Sequence, residues 1–369
     1  MRLTPARQLR MSDATFQWID SDKALNVYCQ QIGKANVLAV DTEFIRRDTF
    51  YAQLALIQIY DGKQAALIDP LRISQWAPLV LILESQHMIK VMHAGAEDLE
   101  ILWQHMAAAV APVFDSQIAA AFVGLESGLS YDRLAQEMLG LSIDKSATRS
   151  DWMKRPLTVS QQQYAVGDVL HLFDLYHALK ERMQSPNVMP IVLEHGAYML
   201  TKATHEVVDY YYLKLTAASG FDDAALQCLR WLMAWREMTM REVNRPRNKV
   251  MTDHHAVRLI AKAVSSMANS CAYDLWQAVV KLDNRPSLQA FDVHALGELM
   301  PLLRPLSKAS LKRFKQRKAR VMSQLGIKPE LLGNNYDDVI ACNAWVNADV
   351  SLDVFMYGWR LTMYQQVIQ

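Results

Sequence analysis

The chain has 369 residues, 51% of them hydrophobic and 21% charged, with a formal net charge of +1. That length exceeds one ordinary core, so two or three domains are expected, and the composition excludes a disordered chain. No apolar run reaches the roughly 18 to 20 residues of a membrane span, and the start lacks the apolar stretch of a secretory signal, so a cytoplasmic protein is expected.

Charge is unevenly spread. Residues 1–220 carry 19 Lys and Arg against 24 Asp and Glu, residues 221–330 carry 19 against 10, and residues 331–369 carry 1 against 4. An acidic first half joined to a basic middle suits an enzyme holding cations in one place and phosphates in another, although solvated helix faces give the same asymmetry. The four cysteines (Cys29, Cys228, Cys271, Cys342) are far apart, which argues against a disulfide framework or a zinc knuckle.

In chain order, Val37–Val40 is a short apolar run of the buried-strand kind, followed by Leu54–Tyr60 and Gln64–Ile68 with Asp61-Gly62 as a hairpin turn between them. Ile89–Met92 is a fourth strand. From Ala96 the apolar positions Leu99, Leu102, Trp103 and Met106 recur at helical spacing, and Ser160–Lys180 predicts a longer helix. Strands alternating with helices predict an α/β sheet flanked by helices. After about residue 190 only helical patterns remain. Leu226–Glu242 reads as one amphipathic helix, Asn244–Asn248 as a break, and Asp253 as the N-cap of the next helix. A domain boundary is expected near Ala217–Asp222.

Three local patterns carry chemistry. Asp41-Thr42-Glu43-Phe44 continues the first strand, so Asp41 and Glu43 share a face and Thr42 takes the other. Two adjacent carboxylates at a buried strand end repel, and a divalent cation such as Mg²⁺ or Mn²⁺ would relieve them; a turn cap beside a solvated glutamate fits the same residues. His93-Ala94-Gly95-Ala96-Glu97-Asp98-Leu99-Glu100 ends a strand and opens a helix, where acidic residues are favoured by the helix dipole in any case. Tyr164 and Asp168 lie one helical turn apart, as would a core tyrosine and an exposed aspartate. Jointly, Asp41, Glu43, Asp98 and Asp168 could hold two divalent ions about 3.5–4 Å apart, with Tyr164 orienting an attacking water.

These three patterns resemble the motifs of the DEDD-type 3′→5′ exonucleases, in the subgroup with tyrosine in the third, and within it the ribonuclease D family. Gln53-Leu54-x-Leu56-Ile57-Gln58, Leu67-Ile68-Asp69-Pro70, Asp144-Lys145-Ser146-x-x-Arg149-x-Asp151-Trp152 and Arg155-Pro156-Leu157 match in the family's order. The resemblance implies an α/β RNase H-like exonuclease domain followed by all-α helical bundles of the helicase-and-RNase-D C-terminal (HRDC) type. It implies domains at 1–215, 216–300 and 301–369, the last divergent. It also implies two Mg²⁺ or Mn²⁺ ions and release of nucleoside 5′-monophosphates from RNA 3′ ends, tRNA precursors above all. Carried over by motif, Asp41, Glu43, Asp98 and Asp168 are the metal ligands and Tyr164 the water-orienting residue. Asp115 matches a recurrent aspartate and reads as structural. Residues before Met11 have no counterpart, and Met11 is an alternative start.

An enzyme that reads ends rather than sequence needs phosphate contacts and stacking surfaces. Phe44 and His93 beside the motifs, Lys145 and Arg149, and the cluster Arg241, Arg245, Arg247 and Lys249 are candidate RNA contacts. A second run, Lys308, Lys312, Arg313, Lys315, Arg317, Lys318 and Arg320, is the densest in the chain; core packing and solvated faces are the plainer alternatives. No obligate protein partner is indicated. Rivals are a DNA exonuclease of proofreading type, which the helical tail opposes, and a decayed nuclease that only binds RNA, which the intact motifs oppose.

Overall fold

The computed structural model describes residues 16–143, 150–204, 208–267, 270–296, 302–325, 327–333, 335–346, 350, 352, 356 and 358–369. The chain divides into two compact units, one of residues 1–47 with 52–205 and one of 48–51 with 206–369.

The first unit is built on a mixed six-stranded sheet. Its strands are β1 (Phe16–Ile19), β2 (Val37–Ile45), β3 (Gln53–Tyr60), β4 (Ala65–Ile68), β5 (Ile89–Met92) and β6 (Val113–Asp115), in the order β1-β4-β3-β2-β5-β6. The central β2, β3 and β4 pair antiparallel, while β1 on β4, β5 on β2 and β6 on β5 pair parallel. The four expected runs are β2 to β5. The edge strands β1 and β6 are additions: at four and three residues, neither shows a resolvable period. The Asp61-Gly62 turn closes the β3–β4 hairpin. Gly62 sits at φ 88°, and the Asp61 carboxylate accepts from the amides of Lys63 (2.9 Å) and Gln64 (2.8 Å).

Helices α1 (Asp22–Ile32), α2 (Ala77–Leu83), α3 (Ala96–Met106), α4 (Ser116–Phe122), α5 (Tyr131–Leu139), α6 (Val159–Arg182) and α7 (Val188–Thr204) complete this unit. Alternation along the strands splits the core in two. Leu38, Val40, Ile57 and Ile59 join Leu25, Leu79, Leu99 and Leu102 from α1, α2 and α3 on one face. On the other, Ala39 meets Val169 and Leu172 of α6, and Leu56 and Leu67 meet Ala165 and Val166 of the same helix. Asp41 and Glu43 belong to this second face, so α6 is the helix that meets them.

Among the described residues the second unit contains no strand. A 3₁₀ stretch, Val208–Lys214, leads into α8 (Asp223–Glu242), α9 (Arg247–Val250), α10 (Asp253–Ser266), α11 (Ala272–Leu282), α12 (Pro286–Gln289), α13 (Lys308–Gln324), α14 (Asn335–Val346) and α15 (Gly358–Ile368). One apolar cluster runs through it, from Tyr210 to Val367. The expected break after α8 is present, with Asn244 at φ 48°. The expected cap of α10 is corrected by one residue. Thr252, whose backbone is still extended, accepts from the amide of His255 (3.2 Å), while Asp253 is already helical and takes Arg236 at 2.6 Å.

Candidate active site

The site begins at β2. Asp41 faces Gln58 across the β2–β3 ladder and Glu43 faces Leu56, and a register shift follows directly between Glu43 and Phe44. Such a bulge interrupts the regular ladder beside the two carboxylates before pairing resumes at Phe44–Leu54 and Ile45–Gln53. Thr42 points to the opposite face, where its hydroxyl donates to the Asp98 carboxylate.

Opposite β2, α6 is held firmly at its start. Thr158 and Gln161 form a reciprocal capping box, Thr158 Oγ1 accepting from the Gln161 amide at 3.2 Å and Gln161 Oε1 from the Thr158 amide at 3.0 Å. Just before it, Arg155 grips Asp69 through Nε (2.8 Å) and Nη2 (2.7 Å) and also donates to the Ala55 carbonyl (2.6 Å). Two of the family-like stretches, around Asp69 and Arg155, thus join each other and tie the approach to α6 onto the sheet. A turn and a half further on, Tyr164 hydrogen-bonds the Asp168 carboxylate from four residues away.

The result is a convergence of like charge. Asp41, Glu43 and Asp168 each present a carboxylate oxygen, all within 4.8 Å of one another. At an effective dielectric of about 20, ionised groups at such a spacing repel by roughly 3 kcal/mol per pair. Burial, reinforced by Asp98, Asp168 and Glu43, holds Asp41 well above the usual carboxylate range. Burial and the charges of Asp168 and Asp98 push Glu43 up to about 9. Burial pushes Asp168 up to about 7, against the lowering hydrogen bond from Tyr164, and Asp98 up to about 6, against that from Thr42. Three hard anionic oxygens fit Mg²⁺ or Mn²⁺ better than a softer metal. Asp41 and Asp168, with His93, Tyr131, Tyr164 and Leu172, line a cleft of about 140 Å³.

Asp98 stands outside the group of three, in the first turn of α3 and held by Thr42, yet close enough that its charge raises both Asp41 and Glu43. His93 reaches the cleft wall, its Nδ1 2.9 Å from Ser116 Oγ. Asp115 caps α4 through the amides of Gln117 and Ile118 and accepts from the Gly95 amide at 3.0 Å, fixing the turn that leads to Asp98. Phe44 is half-buried against the α1–α3 core. Lys145 and Arg149 lie outside the described residues.

In the second unit the basic residues separate into two kinds. Arg245, Lys249, Lys308, Lys312, Arg313 and Arg320 are exposed. Arg247 binds buried Glu237 (2.9 Å) and Arg241 binds it at 3.3 Å. Lys318 is buried against Asp338 (2.6 Å), and Arg317 donates to the Val367 carbonyl and covers the Trp345 ring. The dense run on α13 is therefore part surface, part internal fastening.

Two further residues of the site lie outside the three acidic patterns. Tyr131, at the start of α5, donates to the backbone carbonyl of Asp168, so that aspartate is bonded through both its side chain and its main chain. Gln58, beside Asp41, closes the family-like stretch Gln53-Leu54-x-Leu56-Ile57-Gln58, which gives it no role by itself.

A family model described as 3′-5′ exonuclease matches residues 16–184. The ribonuclease D of Pseudomonas paraeruginosa is 34% identical over 360 residues, covering 93% of this chain and 94% of that protein. That of a Shewanella species is 31% identical over 96% of this chain and 93% of its own length. The crystal structure of Escherichia coli RNase D, an exoribonuclease involved in structured RNA processing, superposes with a TM-score of 0.75 at 28% identity, over 96% of this chain and 97% of that one. The likeness spans both the sheet-containing unit and the helical one, so the RNase H-like exonuclease fold followed by a helical region is that of this structure. With relatives matched along nearly their whole length, the chain belongs to the ribonuclease D family, hydrolases of the 3′→5′ exoribonuclease type.

Proposed function

We propose that this protein trims the 3′ ends of structured RNAs, tRNA precursors among them, by hydrolysis at a two-metal centre that releases nucleoside 5′-monophosphates. The observation that carries this reading is the meeting of Asp41, Glu43 and Asp168 within 4.8 Å in a cleft where burial and mutual repulsion oppose their ionisation. Asp41 and Glu43 from the sheet and Asp168 from α6 would hold the ions, with Asp98 completing the set from α3. When bound, such ions acidify a water and neutralise charge on the departing 3′ oxygen. The chain's own groups do the positioning. Tyr164, anchored on Asp168, orients the attacking water through its hydroxyl. Tyr131 fixes the main chain at Asp168, and His93 borders the space where the terminal nucleotide enters.

The helical unit serves as the RNA-holding part, with HRDC-type modules at 216–300 and 301–369. Exposed Arg245, Lys249, Lys312 and Arg313 contact phosphates there, and Lys145, Arg149 and Phe44 contribute from the nuclease domain. The structured-RNA substrate is supported by the description of the E. coli relative. Incubating the full chain with 3′-labelled structured RNA, and with DNA of the same sequence, in Mg²⁺, Mn²⁺ or EDTA tests the reading. Stepwise release of 5′-monophosphates from RNA, only with a divalent ion, is expected. Cleavage that persists in EDTA would overturn the metal assignment, and a preference for DNA would overturn the substrate.

A further inference from the structure

Gln58 is the one amide in the apolar run of β3, between Leu54, Ala55, Leu56 and Ile57 on one side and Ile59 on the other. It is fully buried, and neither its Nε2 nor its Oε1 has a hydrogen-bond partner among the described residues. An unsatisfied buried amide is destabilising, which a leucine at the same place would not be. Sheet register tells what lies beside it. On the β4 side its ladder partner is Leu67, part of the apolar core, and on the β2 side it is Asp41. Residues directly opposite in an antiparallel pair share a face with Cβ atoms about 4.5–5.5 Å apart. Helix α6 packs across β2, β3 and β4 on that face.

We infer that Gln58 is a positioning residue for Asp41: its amide donates to the Asp41 carboxylate when that group is ionised around a divalent cation, fixing which oxygen faces the ion. An amide supplies two N–H donors and adds no charge to a place already holding too much of one sign. The inference rests on the metal-site reading. Groups that orient a metal ligand from behind typically change affinity by about 10–100-fold when removed.

The test uses the full chain, Mn²⁺ alone as the probe, and binding followed by electron paramagnetic resonance of the free ion, with no RNA present. Gln58→Leu, and the unbranched Gln58→Met in case the first packs badly, should bind Mn²⁺ about 10–100-fold more weakly than wild type while their metal-free Tm stays the same or rises. Purely structural burial would leave Mn²⁺ affinity untouched. Affinity within about twofold of wild type in both variants, with Asp41→Ala showing the loss, would overturn the role of Gln58 alone. Wild type binding no more Mn²⁺ than Asp41→Ala would overturn the metal-site reading first, and the inference with it.

Discussion

Two charge clusters, one in each unit, are buried in opposite ways. In the helical unit the buried charges of Arg236, Glu237, Lys318 and Asp338 each meet an opposite charge. Arg236 lies against Glu237 (3.3 Å) and Asp253 (2.6 Å), and Lys318 against Asp338 (2.6 Å), which also accepts from the Tyr364 hydroxyl at 2.8 Å. In the nuclease unit, Asp41, Glu43 and Asp168 gather, and among the described residues the charges that act on Asp41 are all carboxylates. The first arrangement is electrostatically complete and serves the fold. The second has no such counter-charge among the described residues, and that imbalance is what marks it as a candidate site.

Removing a carboxylate from the incomplete cluster gives the sharpest contrast. Asp41→Ala or Asp168→Asn should lower the rate of RNA 3′-end cleavage on the order of 1,000-fold or more, several kcal/mol of transition-state stabilisation. The same changes should raise the metal-free Tm, because they remove repulsion. Full activity in Asp41→Ala would break the assignment. In the complete arrangement the sign reverses. Lys318→Met leaves Asp338 buried without its counter-charge, and should destabilise the helical unit by about 3–5 kcal/mol in denaturant unfolding. Little change there would erase the distinction between the units.

Dependence on pH separates them next. Folded-state pKa values raised to about 9 for Glu43, 7 for Asp168 and 6 for Asp98 mean that their protonated forms suit the metal-free fold. That contribution is complete below the unfolded-state values near 4 and is lost as pH climbs through 6 to 9. Mn²⁺ competes with those protons, so the Tm increase it causes should be larger at pH 9 than at pH 6. An ion-induced shift independent of pH would contradict the cluster's protonation. Tyr164→Phe is milder: it deletes one hydroxyl and leaves every carboxylate, so cleavage should slow about 10–100-fold, less than on ligand loss. It should also push Asp168 further up by removing its hydrogen bond. The smallest effect belongs to the exposed cations. Neutralising Arg245, Lys249, Lys312 and Arg313 together should weaken all RNA sequences alike and flatten the salt dependence by about 0.7 per lost contact. An unchanged slope would remove them from the binding surface.

Much of this was legible in the sequence, for identifiable reasons. Buried central strands must be apolar, so β2 to β5 announce themselves, and a carboxylate pair on the strand end stands out against that background. Edge strands as short as Phe16–Ile19 and Val113–Asp115 carry too few residues to show a period. Charge counts show where cations are but not what they touch, so Lys318 and Arg317 read like surface residues although each is fastened inside α13's own bundle. Spacing within one segment was readable, but distance between segments was not. Nothing local distinguishes Asp98, set against Thr42, from the three carboxylates that converge, or announces that Tyr131 reaches the carbonyl of Asp168.

The division of the cleft between a sheet and a helix has a mechanical consequence. Asp41 and Glu43 are rooted in the most heavily bonded part of the nuclease unit, whereas Tyr164 and Asp168 ride together on α6, whose near end is pinned by Arg155 to Asp69. Any tilt of that helix therefore moves both groups as one lever, opening the seam along a single line while the sheet side stays put. Because misplacement by about 1 Å can cost a hundredfold in rate, the Arg155–Asp69 anchor bears on the spacing between Asp168 and the sheet although neither residue lines the cleft.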